Sequence, residues 1–256
     1  MSILEFLIAV IGGAFAGMIN TLAGSGSVIT LTILMEVLGL PPTAANATNR
    51  VGICTQSIAG TYAFYKNGKL NISRSWLYLL FTTIGAIIGV IVSIKISGAA
   101  FKQVFSYLML LMLVVILVNP KRWLRETDMD FVLSKWWSIP LSLAIGFYGG
   151  FIQMGMGVFF LVIMVLIARY SLVDANAVKL AVVAIYTTLA IAIFHYQGLI
   201  DWKFGAVLAL GQTAGGYFTA NYASQSPTAN VWAHRILVVV VIAAIIRLFR
   251  LWEYFI

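Results

Sequence analysis

The chain of 256 residues is 62% hydrophobic and 9% charged, with a mean hydropathy of +1.00 and a formal net charge of +8. A soluble globule has an apolar share nearer half and a charged share nearer a quarter, so this composition excludes one and predicts an all-α polytopic membrane protein. The positive charge does not imply nucleic acid, because Lys and Arg are spread over short loops and tails with no basic stripe among aromatics; much of the excess reads as topological, holding cytosolic loops in place.

In chain order, the amino end from Met1 to Glu5 has neither a basic leader nor a small-residue cleavage site, so the first apolar segment is expected to stay in the membrane. That segment runs from about Ile3 to Leu38, too long for one helical crossing of roughly 20 residues. It must break or turn back. Ala23-Gly-Ser-Gly-Ser27 supplies the break, since glycine tolerates non-helical dihedrals and serine satisfies freed backbone groups. Pro41-Pro42 ends the segment. A second helix is predicted over about Thr43 to Tyr65, closed by Lys66-Asn-Gly-Lys69. A third covers about Ser73 to Ile96 and carries Gly85 and Gly89 as a close-packing G-x-x-x-G, and a fourth spans about Phe101 to Val118.

Residues 119–136 form a polar linker, with Lys121, Arg122, Arg125 and Lys135 beside Glu126, Asp128 and Asp130. The order then repeats: about Trp137 to Ala168 with a second glycine break, Val173 to Tyr196, Trp202 to Tyr222, and Val231 to Trp252. Ala45-Asn-Ala47 aligns with Ala175-Asn-Ala177, Gly68 with Gly198 and Gly85 with Gly215 at one constant shift, which marks a duplication: a first repeat over 1–118 and a second over 137–256. Two topologies follow. If each broken segment crosses once, the halves are parallel, and the count of positive charges favours this. If each broken segment is a re-entrant hairpin, the halves are inverted. Segment length, the position of the break and the habit of transporters to place broken helices in inverted repeats favour that second arrangement, which is the expectation here.

Polar groups and broken backbone at membrane depth are tolerated where they line a cavity, so the paired breaks are the candidate site. Around them lie backbone donors at Gly24, Ser25, Gly26, Gly155 and Gly157, side-chain donors at Asn20, Asn46, Asn49, Gln153 and Asn176, and positive charge at Arg50 and Lys179. An anion leaving water needs these three kinds of group, and the planar fork of Arg50 suits an oxyanion. Each has a plainer role. Arg50 and Lys179 could snorkel to the interface, Asn46 and Asn176 could cap or join helices, the glycines could simply break helices, and Gln56 and Gln212 could either line the cavity or pack.

The segment A-G-x-I-N-x-L-A-G-S-G-S, the A-N-A-T-N-R opening the next helix, the glycine-patterned third helix and the weaker second-half copy together resemble the TauE/SafE sulfite exporter family, also called the toluene sulfonate uptake permease family. The resemblance spans nearly the whole chain. It implies a secondary transporter of small sulfur-containing anions such as sulfite, organosulfonates or sulfoacetate, in a bacterial cytoplasmic membrane. The second half departs from the first, with Gln153-Met-Gly-Met-Gly157 at its break and Lys179 where Asn49 stands.

Other classes find little support. The two histidines, His195 and His234, fall in different segments and no H-E-x-x-H or G-x-S-x-G occurs, which argues against an enzyme. No nucleotide-binding loop is present, and neither a metal nor a cofactor is expected. Cys54, the lone cysteine, reads as a small packing residue, and His195 more readily as structural than as a proton carrier. Asp174 reads as a helix N-cap. The expected partners are a small anion and the lipid bilayer, with a homodimer compatible with the glycine surfaces. An anion channel, or a carrier of another small anion such as a carboxylate, is the alternative function.

Overall fold

The computed structural model describes residues 1–94, 126–128, 130–151 and 153–226, then 228–229, 231–232, 235–236, 238–239, 242 and 246. Every element among them is a helix: α1 (Ile3–Ala23), α2 (Ser27–Thr32), α3 (Pro42–Lys66), α4 (Ile72–Ser93), α5 (Lys135–Phe151), α6 (Met156–Val162), α7 (Leu172–Tyr196) and α8 (Trp202–Gln225). The expected fourth helix, most of the linker and most of the last helix lie outside the described residues. α2 and α6 each run on into a wider π-helical turn, Ile33–Val37 and Ile163–Ile167. The chain is an integral membrane protein: α1, α4 and α7 are each long and apolar enough to cross a bilayer. α3 and α8 match them in length but carry the polar side chains of the interior, including Asn49, Arg50, Gln56 and Gln212. Large apolar side chains such as Phe15, Tyr62, Trp76 and Phe218 stay exposed around the bundle, where lipid rather than water meets them.

The duplication is geometric as well as sequential. Pro42 and Leu172 open α3 and α7, Lys66 and Tyr196 close them, and Ile72 and Trp202 open α4 and α8, a shift of 130 residues each time. Local hydrogen bonds keep the same shift. Leu38 N–H donates to the Ile33 carbonyl at 2.9 Å and Ala168 N–H to that of Ile163 at 2.9 Å. Gly68 N–H donates to Tyr65 and Gly198 N–H to His195, both glycines at positive φ. Asn71 and Asp201 cap α4 and α8 by accepting from the N–H groups of Arg74 and Phe204. Only the break slips, with left-handed Gly24 and Gly155 lying one residue off the register.

Both first segments double back. Gly26 sits on the Ala16 carbonyl and the Asn20 side chain, and further along the returning arm Ile33 lies against Gly12, so α2 retraces α1. In the second half the Tyr148 hydroxyl donates to the Met154 carbonyl at 2.9 Å and its ring meets Phe159 at 4.9 Å, so α6 retraces α5. The halves interlock: α1 packs on α8, α5 on α4, and α3 lies between α8 and α7. The short helical contacts rest on glycine. Gly85 and Gly89 of α4 lie directly against backbone at Leu143 and Phe147 of α5, and Gly211 and Gly215 of α8 against Val10 and Ala14 of α1.

Loops gather at two ends. At one, the start of α3, the end of α4 and the turn from α7 to α8 surround a cavity of about 220 Å³ lined by Thr43, Asn46, Ser93, Phe194, Gln197 and Leu199. At the other, Arg74 donates to the carbonyls of Asp128 and Phe131 at 2.6 and 3.0 Å and stacks on Tyr170, while Asn67 donates to Asn221 at 3.1 Å. The start of α3 therefore lies beside the end of α7.

Candidate functional site

The two hairpin tips meet in the interior, where the backbone of Gly24 touches that of Gly157 so closely that neither position has room for a Cβ. Gly24 holds a left-handed conformation, φ 76°, and ends α1 by donating its N–H to the Asn20 carbonyl at 3.0 Å. Gly155 holds φ 77° at the head of α6, and Gln153 is left-handed at φ 62° although it is not glycine. Its side chain accounts for this strained backbone, since its carboxamide oxygen accepts from both Arg50 and Tyr186, the latter at 2.7 Å.

Each basic residue crosses to the other half's break. Arg50, on α3, donates to the carbonyls of Gly149 at 3.2 Å and Gly150 at 2.9 Å, the free C-terminal carbonyls of α5. Lys179, on α7, donates to Asn20 and Thr21 at the end of α1 at 2.7 and 3.0 Å, and to Asn176 Oδ1 at 2.5 Å. Asn176 in turn donates to the Leu22 carbonyl at 3.0 Å. Arg50 is 0% and Lys179 1% exposed, so neither snorkels to the interface. Both sit on helix C-termini, where a cation is favoured by the aligned peptide dipoles.

Among the described residues the ion pairs are Met1 with Glu5 and Arg169 with Asp128, both remote from the breaks, so neither Arg50 nor Lys179 is ion-paired. The dipoles of the helix ends that they cap offset part of a buried positive charge. Phe194, on the cavity wall, lies 5.7 Å from the Arg50 guanidinium and links the cavity to this centre.

The structure gathers Asn20, Gly24, Gly26, Gln153, Gly155, Gly157, Asn176, Arg50 and Lys179 around the two breaks, and Asn49 one residue from Arg50 on α3. Ser25 is buried at the tip with no partner for its hydroxyl. Asn46 sits apart, on the cavity wall. Gln56 and Gln212, for which the sequence left lining and packing open, join the set. Gln56 accepts from Asn20 Nδ2 at 3.2 Å and donates to Thr21, and Gln212 donates to Asn49 at 3.4 Å. The reciprocal spacing Gly52-x-x-x-Gln56 and Gln212-x-x-x-Gly216 was the available signal, since each glutamine fills the space its opposite glycine leaves. Asp174 is not the N-cap of α7. Ser171 is, with its hydroxyl accepting from Asp174 N–H at 3.0 Å, because the helix starts three residues earlier and Asp174 instead accepts from Thr127 at 2.5 Å. His195 accepts from the Trp202 indole at 3.3 Å at the exposed end of α7, and Cys54 contacts Thr188 at 3.3 Å, a packing role.

The family model for the sulfite exporter TauE/SafE matches residues 9–248. The chain belongs to the TauE/SafE family. Relatives span most of it. The probable membrane transporter protein ORF9 of a Sinorhizobium species is 27% identical over 238 residues, 91% of this chain and 88% of its own. The probable membrane transporter protein YfcA of Escherichia coli K12 is 27% identical over 204 residues, 78% and 74% of the two chains. A probable membrane transporter protein of Haemophilus influenzae is 28% identical over 204 residues, 79% of each. No solved structure matches the chain. Family and relatives make this TauE/SafE protein a membrane transporter.

Proposed function

We propose that the protein is a secondary carrier of small sulfur oxyanions, of the sulfite, organosulfonate or sulfoacetate type, with its site where the two hairpin tips meet. The observation that carries this reading is the pair of buried basic side chains, Arg50 and Lys179, whose positive charge no carboxylate among the described residues pairs. A monoanion complements that charge, and the first N–H groups of α2 and α6, with Asn49 and Ser25, supply donors to its oxygens.

Alternating access in an inverted repeat is supported by the asymmetry of the two ends. The cavity residues Thr43, Asn46, Ser93 and Ile94 are exposed or half-buried, and their counterparts 130 residues away, Val173, Asn176, Ala223 and Ser224, are buried, whereas Phe194 and Phe64 are buried alike and Gln197 and Leu199 correspond to the half-buried Asn67 and Lys69. Four equivalent positions are therefore more open at one end than at the other. A continuous channel would keep both ends open together, so this difference favours a carrier over the pore. The more closed end carries Lys66, Lys69, Arg74, Lys135 and Arg169, which supports reading it as the cytosolic side of a bacterial inner membrane under the positive-inside rule.

The test is calorimetric binding of sulfite, sulfate, sulfoacetate and acetate to the purified protein and to its Arg50→Gln and Lys179→Gln variants. Binding of sulfur oxyanions that is lost in variants which stay folded is the expected result. Binding of none of these anions, or undiminished affinity in both variants, overturns the reading.

A further inference from the structure

Two carboxamide pairs lie between the helices around the breaks, and they differ in one respect. Asn20 and Gln56 are knitted into the backbone: Gln56 accepts from Asn20 and donates to Thr21 Oγ1 at 3.3 Å and to the Gly17 carbonyl at 3.4 Å. Asn49 and Gln212 share one long hydrogen bond of 3.4 Å, and beyond it Asn49 Nδ2 and Gln212 Oε1 have no partner among the described residues, although the two residues are 0% and 1% exposed. Exchanging oxygen and nitrogen on both side chains does not alter the count. Two amides joined by one hydrogen bond always leave a donor on one and an acceptor on the other. Buried and unpaired, such atoms are costly, and a bound group that satisfies them recovers that cost.

The pair is a built feature. Gly52 stands where a Cβ would lie 2.8 Å from the Gln212 carboxamide carbon and oxygen, so α3 leaves room for this head group. The counterparts in the other half, Lys179 for Asn49, Val182 for Gly52 and Thr82 for Gln212, do not repeat it. Arg50, which turns to Gly149, Gly150 and Gln153 and not to Gln212, also has its Nε buried with no partner among the described residues.

An oxyanion offers only acceptors. It can take Asn49 Nδ2, but it leaves Gln212 Oε1 facing a negative group. We infer that Asn49 and Gln212 are specificity-determining residues, and that the substrate is a sulfur oxyanion bearing a hydroxyl, whose O–H donates to the free carboxamide oxygen while a sulfonate oxygen accepts from the amide. The donor is a neutral O–H, because the buried guanidinium of Arg50 on the same helix disfavours an ammonium. The inference rests on the oxyanion reading of the site.

The experiment compares three probes that differ at one position, 2-hydroxyethanesulfonate, ethanesulfonate and 2-aminoethanesulfonate, by calorimetry on the full-length protein in detergent. The hydroxyl compound is expected to bind about tenfold or more tightly than the other two. In Gln212→Met and Asn49→Leu, with folding checked by thermal unfolding, the preference over ethanesulfonate falls to near one. The wild-type ratio decides alone if a variant does not fold. Equal affinity for the hydroxyl compound and ethanesulfonate, tighter binding of the amine, or a preference that survives in both folded variants overturns the inference and leaves the oxyanion site standing. Binding of no sulfonate, sulfite or sulfoacetate overturns the oxyanion reading and the inference with it.

Discussion

The contact between the hairpin tips makes a quantitative prediction for Gly157→Ala. Residue 157 is in the first turn of α6, where Gly to Ala ordinarily stabilises a helix by roughly 0.5–1 kcal/mol. Here the new methyl lands on the Gly24 Cα and lies 2.8 Å from its carbonyl oxygen, against 3.4 Å for ordinary contact. The tips must part by at least about 0.6 Å, and both neighbours are backbone, which cannot rotate away. Overpacking of this kind costs about 1–3 kcal/mol. The net is a destabilisation of up to about 2 kcal/mol. Gly12→Ala is the control, since its methyl meets only the far end of the Ile33 side chain, which can swing aside. Thermal unfolding in detergent, with binding at saturating sulfite, reads both. A Gly157→Ala protein as stable as Gly12→Ala, with unchanged sulfite affinity, would refute the packing argument and remove the tip contact from the site.

Other outcomes follow from the same geometry. Arg50→Lys keeps the charge but loses the fork that reaches Gly149, Gly150 and Gln153 together, so stability falls by about 1–3 kcal/mol; an unfolding midpoint equal to wild type refutes this. In a Cys54→Ala background, Thr43→Cys should react rapidly with a membrane-impermeant maleimide and Val173→Cys slowly, and equal rates would refute the asymmetry of the ends. The hydrogen bond from Arg169 holds the Asp128 carboxyl below the usual carboxylate range. A depressed carboxylate contributes above its unfolded pKa of about 3.9 and loses that contribution as pH falls through the lower folded value, so protection of residues 126–131 from hydrogen exchange should be unchanged between pH 8 and 5; a loss near pH 6 contradicts the assignment.

Much of this architecture was legible in the sequence because membrane depth leaves the backbone few options. Segment lengths, glycine punctuation and the repeated Ala-Asn-Ala gave α3 and α7 to within a residue or two at each end. The breaks were readable because Gly-Ser-Gly inside an apolar run has no packing rationale. The π-helical turns at Ile33–Val37 and Ile163–Ile167 were not, as their residues are ordinary helix formers and the extra width comes from the return path of the hairpin. Arg50 and Lys179 were visible as cations within apolar segments, but neither their burial nor their capping of the opposite half's broken helix was, because both are tertiary. Arg169 shows the same limit. It holds φ 58° where its counterpart Gly39 holds φ 69°, a strained position that its bond to Asp128 and its stacking on Phe131 at 4.1 Å account for.

The interlocking of the halves bears on how the protein is made. α1 packs on α8, which leaves the ribosome about two hundred residues later, on the order of 10–40 s at ordinary rates of synthesis. During that interval Gly211 and Gly215, the surface that α1 docks on, do not yet exist, and the carbonyls of Asn20 and Thr21 wait for Lys179. The first hairpin therefore enters the bilayer as an unfinished element, held by its neighbours or by the insertion machinery until the second half arrives. The contacts of α1 with α8 and of Lys179 with the end of α1 therefore predict that a gene split in the linker yields two fragments that are degraded when made singly and rescued when made together.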